Sequence, residues 1–409
     1  MLKGIIQLKG DKSISHRILL FGSLVSGRCN IYNLSECKDV QRTMNILKKC
    51  NIKIIKTKNQ ITIFQSKIDQ KVKRFYCGNS GTTARLMLGF LPTRGVSGMI
   101  YGDKSLSKRP MQRLVEPLIK MNIKIKTIKD NLPIYFEKSQ ATPFDYSIKN
   151  PSAQIKTALV FSALSTNSKS YIKDPFHTRD HTENIIKYLG GPKKYYSKFK
   201  INSFNYTVPG DISSASFLIT AALLSKGSDL TIRKVLFNET RIGYVKILKK
   251  MGAKITILNK KNQACETIAD INVKHTKTLN AVSLGSSDIV SMIDEIPVFA
   301  LVACYAKGIT RVDNAAELRY KESDRIKSIV YNVKKCGGNI VETHDGFIIK
   351  QSILLYNTSI NHFMDHRIAM MCEILKLISI NKFFDINQRD KLINTSFPEF
   401  YEQIGNIYV

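Results

Sequence analysis

Arginine is scarce in this 409-residue chain, 16 residues against 47 lysines, so each arginine set beside hydroxyl, amide or acid groups is informative. The run LKGDKSISHRILL places Lys12 and Ser13 at a strand-to-helix junction and Arg17 one helical turn later. A lysine, a hydroxyl and a guanidinium at one helix end can hold a phosphate or a carboxylate. Solvated helix-end charge is the plain alternative. In CGNSGTTARLML, Gly78, Asn79, Ser80, Gly81 and Thr82 expose backbone N–H groups in a tight turn, and Arg85 follows on a helix. Such a turn cradles anions. It lacks the Gly-Lys-Ser/Thr ending of a Walker A loop and also reads as an ordinary turn. YGDKSLSKRPMQRL delivers Arg109 just before Pro110, behind Lys104 and Lys108. That loop reads either as an anion clamp or as a solvated loop. NPSAQIKTALV supplies Ser152, Gln154 and Lys156, and HTRDHTENI supplies Arg179, Asp180 and His181.

The acids fall in the second half. SMIDEIPVFAL sets Asp294 and Glu295 before a nearly all-apolar helix. They read as dipole-favoured caps, or as a general base beside a buried element. LRYKESDRIKS packs Lys321, Glu322, Asp324 and Arg325 into five residues, a run that also fits a solvated helix start. MDHRIAMM puts His366 and Arg367 before an apolar helix, where an arginine without an anionic partner is costly. Together, Lys12, Arg17, Arg85, Arg109, Lys321, Arg325 and Arg367 surround two carboxylates, Asp294 and Glu322. A cation surplus of this kind suits doubly anionic substrates and proton transfer. Hydride transfer is disfavoured because no dinucleotide GxGxxG is present, and Ser or Cys hydrolysis because there is no nucleophile elbow. The eight cysteines form neither CxxC nor a His/Cys cluster. No metal site is expected, and isolated thiols fit a reducing cytosol.

These residues need elements to position them, and the elements repeat. A small-residue helix, a Gly or Ser stop and a β-rich strand recur at 17–34, 83–102, 157–174, 216–234 and 299–314, with a partial copy at 365–379. An amphipathic helix and an alternating strand follow most copies, as at 39–56, 109–127, 241–258 and 324–342. Their apolar residues switch from helical spacing to period two, and the helices end at Gly or Asn. The unit is roughly 70 residues of helix, strand, helix and strand, used about six times. Gly10-Asp11-Lys12-Ser13 and Gly210-Asp211-Ile212-Ser213 open two similar halves. The expected domains are 11–210, and 1–10 with 211–409, with hinges near 10 and 210. Ala, Gly and Ser in the first helices predict close packing and burial at the domain centres. Their N-termini, preceded by Ser, Thr, Gly and Asn, are either capped locally or bind anions.

The formal charge is +31. A nucleic-acid partner is one reading of it. The scattered lysines and the lack of Trp favour a Lys-rich codon bias instead, and no nucleic-acid partner is expected. No run of about 18 uncharged apolar residues suggests a membrane span. The opening MLKGIIQLKGDKS reads as a short strand, not a signal peptide, so a cytoplasmic protein is expected.

As an ordered set, DKSISHR, GNSGTTAR, the KRP loop, PSAQIKTAL, GDISSAS, DEIP, KESDR, DHR and TSFPEF resemble the 5-enolpyruvylshikimate-3-phosphate synthases, of the enolpyruvyl transferase family. The motifs are collinear over nearly the whole chain. The resemblance implies an α/β fold of two similar domains, each of three βαβαββ units around buried helices (an inside-out α/β barrel). It also implies a ligand cleft between the domains and domain closure. It implies transfer of the enolpyruvyl group of phosphoenolpyruvate to the 5-hydroxyl of shikimate 3-phosphate through a tetrahedral intermediate that expels phosphate. No metal or organic cofactor is implied, and a monomer is expected.

By the same resemblance, Lys12, Ser13, Arg17, Ser152, Gln154, Asp294 and Lys321 hold shikimate 3-phosphate. Lys12, Asn79, Gly81, Arg109, Gln154, Arg325 and Arg367 hold phosphoenolpyruvate. The catalytic residues are Asp294, as acceptor of the hydroxyl proton, Glu322, as proton partner of the methylene carbon, and Lys12, with His366 a further candidate. The chain departs from some members at Thr395, where a Lys occurs, at Ala153, where a Ser occurs, and at HTRDHTE, which leaves Arg179 as a candidate phosphate contact. A sister family transfers enolpyruvyl to UDP-N-acetylglucosamine. Its mobile loop usually carries a Cys, and Gly102–Pro110 here has none.

Overall fold

A computed structural model describes every residue except 358, 382 and 383. Its four larger sheets share one strand order. Lys73–Tyr76 runs parallel to Gly98–Tyr101, which pairs antiparallel with Asn131–Phe136, itself antiparallel to Ile125–Ile128. Ser283–Leu284, Ile309–Val312, Phe347–Lys350 and Asn339–Glu342 repeat that order. The crossover between the parallel strands contains the apolar helix, and the amphipathic helix precedes the hairpin. This is the βαβαββ unit that the resemblance implies, and it contains the helix, strand, helix and strand of the repeated phrases.

The other two sheets exchange their first strands. Lys3–Gln7 leads into helix Lys12–Gly22, yet it pairs with Asp229–Leu236, which follows helix Ile212–Leu224. Asn202–Thr207 leads into helix Ile212–Leu224 and pairs with Ser26–Tyr32, which follows helix Lys12–Gly22. The two remaining copies are reduced. Asp145–Ser147 with Tyr171–Lys173, and Leu279–Asn280 with Ala306–Lys307, form two-stranded sheets. No sheet closes on itself among the described residues.

The chain divides into two compact units. One comprises Met1–Leu8, Pro209–Asn262 and Thr267–Val409; the other comprises Lys9–Val208 and Gln263–Glu266. In the Lys9–Val208 unit the interior helices are Lys12–Gly22, Gly81–Phe90 and Ala153–Ala163. Phe21, Phe90 and Phe161 close the packing, with Phe161 centroids 4.9 Å from Phe21 and 5.7 Å from Phe90. In the other unit they are Ile212–Leu224, Ile296–Tyr305 and His366–Ile378, which pack on one another. All six are buried along most of their length, and past their polar first turns they are largely apolar, as a helix surrounded by protein requires.

Five amphipathic helices stop in the same way. Lys38–Lys49, Gln112–Lys120, His181–Tyr188, Gly243–Lys250 and Arg325–Lys335 are each followed, one residue on, by a left-handed residue. These are Asn51, Asn122, Gly190, Gly252 and Gly337, with φ between 66° and 93°. Gly and Asn reach that conformation at least cost. The N–H of Ile52 then closes on the carbonyl of Leu47 at 3.1 Å, and Ile123 does the same on Leu118 at 3.0 Å. No helix is long and apolar enough to cross a membrane among the described residues.

Candidate active site

The N-termini of the interior helices carry the motif residues. Five of the six helices are capped by the side chain of the preceding residue. Asp11 accepts from Ile14 N–H at 2.9 Å, Ser80 from Thr83 at 3.1 Å and Ser152 from Ile155 at 3.3 Å. Asp211 accepts from Ser213 at 2.7 Å and Asp365 from Arg367 at 2.8 Å. Local capping therefore satisfies part of each helix start, and the cationic side chains gather around it.

In the Lys9–Val208 unit, Arg17 is buried and braces two other helix starts. Its Nε donates to Thr182 Oγ1 at 2.9 Å and its Nη2 to Thr157 Oγ1 at 2.7 Å. Its Nη1 also holds the Ser13 carbonyl at 2.9 Å. Arg179 donates to Ser13 Oγ at 3.0 Å, so Ser13, Arg17 and Arg179 form one group. Lys12 Nζ meets Asp39 at 2.9 Å, and both side chains are mostly shielded from solvent.

A second group surrounds Gly81. Arg85 donates to Gln154 Oε1 at 2.9 Å, and Gln154 donates to Thr82 Oγ1 at 2.9 Å. Arg109 donates to Asn79, whose amide in turn donates to Asp103 at 3.0 Å. A Cβ on Gly81 would lie 2.7 Å from Arg85 Nη1 and 3.1 Å from Arg109 Nη1. The missing side chain is what lets two guanidiniums approach one helix start, a concentration of donors suited to a polyanion. Lys156 lies apart from this group. It is buried and paired with Asp174 at 2.9 Å and Glu183 at 2.8 Å.

In the other unit, Arg325 is the hub. It is 2% exposed. Asp365 takes its Nε at 2.8 Å and its Nη2 at 3.3 Å, Glu322 its Nη2 at 2.6 Å, and Asp294 lies 3.5 Å from its Nη1. Burial opposes the guanidinium's charge. The carboxylates of Asp365 and Glu322 outweigh burial and push its pKa up. Arg367 lies 3.9 Å from both Asp294 and Glu295. Burial lowers the Lys321 pKa, against the attraction of Asp294 and Glu317. Asp294, Lys321, Glu322, Arg325 and Arg367 thus occupy one neighbourhood, and cation and acid alternate within it. His366 is buried at the start of the same helix as Arg367. Thr395 ends the short 3₁₀ turn Ile393–Thr395 and is half-buried.

Sequence spacing did not single out Asp39 and Asp365 as partners of Lys12 and Arg325, or Asp103 as the acceptor for Asn79. Each pairs across 24 to 40 residues, beyond the reach of local periodicity. The one available signal was Asp365 directly before His366-Arg367, which reads as a cap and is one. Among the described residues no group of three or more His, Cys, Asp or Glu side chains could hold a metal ion.

The family profile described as EPSP synthase (3-phosphoshikimate 1-carboxyvinyltransferase) matches residues 1–404. A 3-phosphoshikimate 1-carboxyvinyltransferase of Endomicrobium trichonymphae is 38% identical over 421 residues, covering 99% of this chain and 97% of that protein. One from Staphylococcus epidermidis is 37% identical, covering 98% and 95%. Among solved structures, EPSP synthase from Acinetobacter baumannii superposes with a TM-score of 0.84 at 31% identity, covering 99% and 96%. An enolpyruvyl transferase from Streptomyces tendae shares the fold, with a TM-score of 0.72 at 15% identity and coverage of 99% and 95%.

Proposed function

Since the chain belongs to the EPSP synthase (3-phosphoshikimate 1-carboxyvinyltransferase) family, we propose that the residues described above carry out its reaction in the following roles. The chain is an enolpyruvyl transferase of the shikimate pathway. Phosphoenolpyruvate gives its enolpyruvyl group to the 5-hydroxyl of shikimate 3-phosphate, and inorganic phosphate leaves. Ser13, Arg17, Ser152, Gln154 and Lys321 bind shikimate 3-phosphate, with Arg179 beside Ser13 as a further phosphate contact. Asn79, Gly81, Arg109, Gln154, Arg325 and Arg367 bind phosphoenolpyruvate, and Lys12 serves both substrates.

Asp294 takes the proton of the 5-hydroxyl as its oxygen bonds to C2 of phosphoenolpyruvate. The methylene carbon gains a proton in the same step, with Glu322 and Lys12 as its proton partners. The tetrahedral intermediate then breaks its bond to phosphate. A methyl proton returns to Glu322 and the enol ether double bond forms. Arg325 Nη2, 2.6 Å from Glu322, fixes the position of that carboxyl group for the final proton acceptance. Guanidiniums near the departing phosphate stabilise its growing charge.

The observation that carries this reading is the Arg325 neighbourhood, where two acids able to exchange protons lie among cations able to hold carboxylate and phosphate. The test is phosphate release from phosphoenolpyruvate with shikimate 3-phosphate, with a UDP-amino-sugar acceptor as control. Release that requires shikimate 3-phosphate is expected. Release only with the sugar nucleotide, or none from folded protein, would overturn the assignment.

A further inference from the structure

Glu295 breaks the pattern of the other interior helices. It occupies the position where Asp11, Ser80, Ser152, Asp211 and Asp365 cap their helices, yet its side chain makes no cap. It is 1% exposed. Neither carboxylate oxygen has a hydrogen-bond partner within 3.5 Å among the described residues, and the Ser213 hydroxyl is a near group that favours its charged form. A buried acid left in that state is costly, so it needs another reason to point inward.

The surrounding groups supply one. Arg367, at the start of helix His366–Ile378, places Nη1 3.9 Å from Glu295 Oε1 and Nη2 3.9 Å from Asp294 Oδ2. Arg241, buried and donating to Ser213 Oγ at 2.9 Å, faces Glu295 from the segment before helix Gly243–Lys250. Ser213 faces it from helix Ile212–Leu224, and Tyr244 from helix Gly243–Lys250. Arg367 therefore lies between two acids at ion-pair distance. Asp294 is the one whose charge changes when it takes the hydroxyl proton. An arginine with Asp294 as its sole protein anion would at that moment be held by the substrate's charge alone.

We propose that Glu295 is a positioning residue for enolpyruvyl transfer, the interior counter-charge that keeps Arg367 aimed at phosphoenolpyruvate while Asp294 changes charge. The proposal rests on the roles given above to Asp294 and Arg367. Burial, and then the neighbouring Asp294, push the Glu295 pKa up; Arg367 and Arg241 oppose that shift. An ionised Glu295 also repels charge on Asp294, so removing it eases the ionisation of Asp294.

The test is steady-state kinetics of Glu295→Gln and Glu295→Asp across pH, with thermal melts as a check on folding. Glu295→Gln is expected to raise KM for phosphoenolpyruvate about 10-fold, with KM for shikimate 3-phosphate within about twofold. The acid limb of kcat moves to lower pH, because Asp294 then ionises more readily. Glu295→Asp keeps the charge but shortens the reach. Its acid limb stays in place and its KM for phosphoenolpyruvate rises. A purely structural role would lower the melting temperature and kcat without moving the limb, and that result overturns the proposal. So does Glu295→Gln with an unmoved limb and an unchanged KM for phosphoenolpyruvate. If Glu295→Gln does not fold, Glu295→Asp decides: a raised KM over an unmoved limb supports the proposal, and any other pattern overturns it. Absence of phosphate release by the unaltered protein would instead overturn the underlying assignment, and the proposal with it.

Discussion

Asp294 is one of three carboxylates around Arg325. Arg325 reaches it at 3.5 Å and Arg367 at 3.9 Å, while Asp365 and Glu322 hold Arg325 at 2.8 Å and 2.6 Å. Removing one partner of a buried ion pair costs about 3–5 kcal/mol when the other charge is left alone. Here the two tighter carboxylates remain, so Asp294→Asn should keep the fold. It removes the proposed proton acceptor and should lower kcat about 100-fold or more, the scale of lost general-base catalysis. A melting curve and a turnover assay check both parts, and near-normal turnover in a folded variant would refute the role of Asp294 as base. At this scale the sequence disclosed the cations better than their partners. Arg325 and Arg367 stood out because arginine is rare here, Arg325 within a dense run of charges and Arg367 at the start of an apolar helix. Asp365 did not, because its bond to Arg325 spans 40 residues and an acid at a helix start looks the same whether it only caps or also pairs.

The interior helices meet closely enough for their glycines to matter. Gly89 lies against the backbone of Ala158: a Cβ there would sit 2.2 Å from the Ala158 carbonyl oxygen and 2.6 Å from its carbonyl carbon. Ser162 Oγ also donates to the Gly89 carbonyl at 2.8 Å. Backbone cannot move aside as a side-chain end can, so helices Gly81–Phe90 and Ala153–Ala163 must separate to admit one methyl group. Gly89→Ala should destabilise the protein by about 1–3 kcal/mol or more, the usual range for overpacking. Gly405→Ala is the control, since its Cβ would meet only the flexible Ile386 Cδ1 and should cost far less. Equal denaturation midpoints for the two variants would refute the close crossing. The repeat itself was legible because small residues, a Gly or Asn stop and a change of period recur in order. The strand exchange between Lys3–Gln7 and Asn202–Thr207 leaves a weaker trace, since pairing with a strand some 200 residues away has no local signature. The paired Gly-Asp openings still place residues 1–10 with the second half, where Lys3–Gln7 pairs; the reduced copies were more obscure, because two- and three-residue strands carry too few side chains to show a period.

The charge of the whole molecule, +31, divides into two kinds of cation. Arg17, Arg325 and Arg367 are buried and act at contact distance, where salt screens little. Most of the lysines lie on the surface, and their joint field reaches only about 30 Å at 0.01 M salt and about 8 Å at 0.15 M. Both substrates carry a phosphate and a carboxylate, so the surface field should gather them at low ionic strength and lose hold as salt is added. With the interior arginines holding the substrates in the roles proposed above, the bound complex should feel salt much less. Raising a monovalent salt from 0.01 M to 0.2 M should therefore lower kcat/KM for shikimate 3-phosphate several-fold, on the order of 3- to 10-fold, with kcat within about twofold. Initial rates at subsaturating and saturating substrate separate the two terms. A kcat/KM that stays flat across that range would mean the lysine surplus does not act on the substrates, leaving compositional bias as its explanation. A parallel fall in kcat would instead move the sensitive cations into the site itself, against the burial of Arg325 and Arg367.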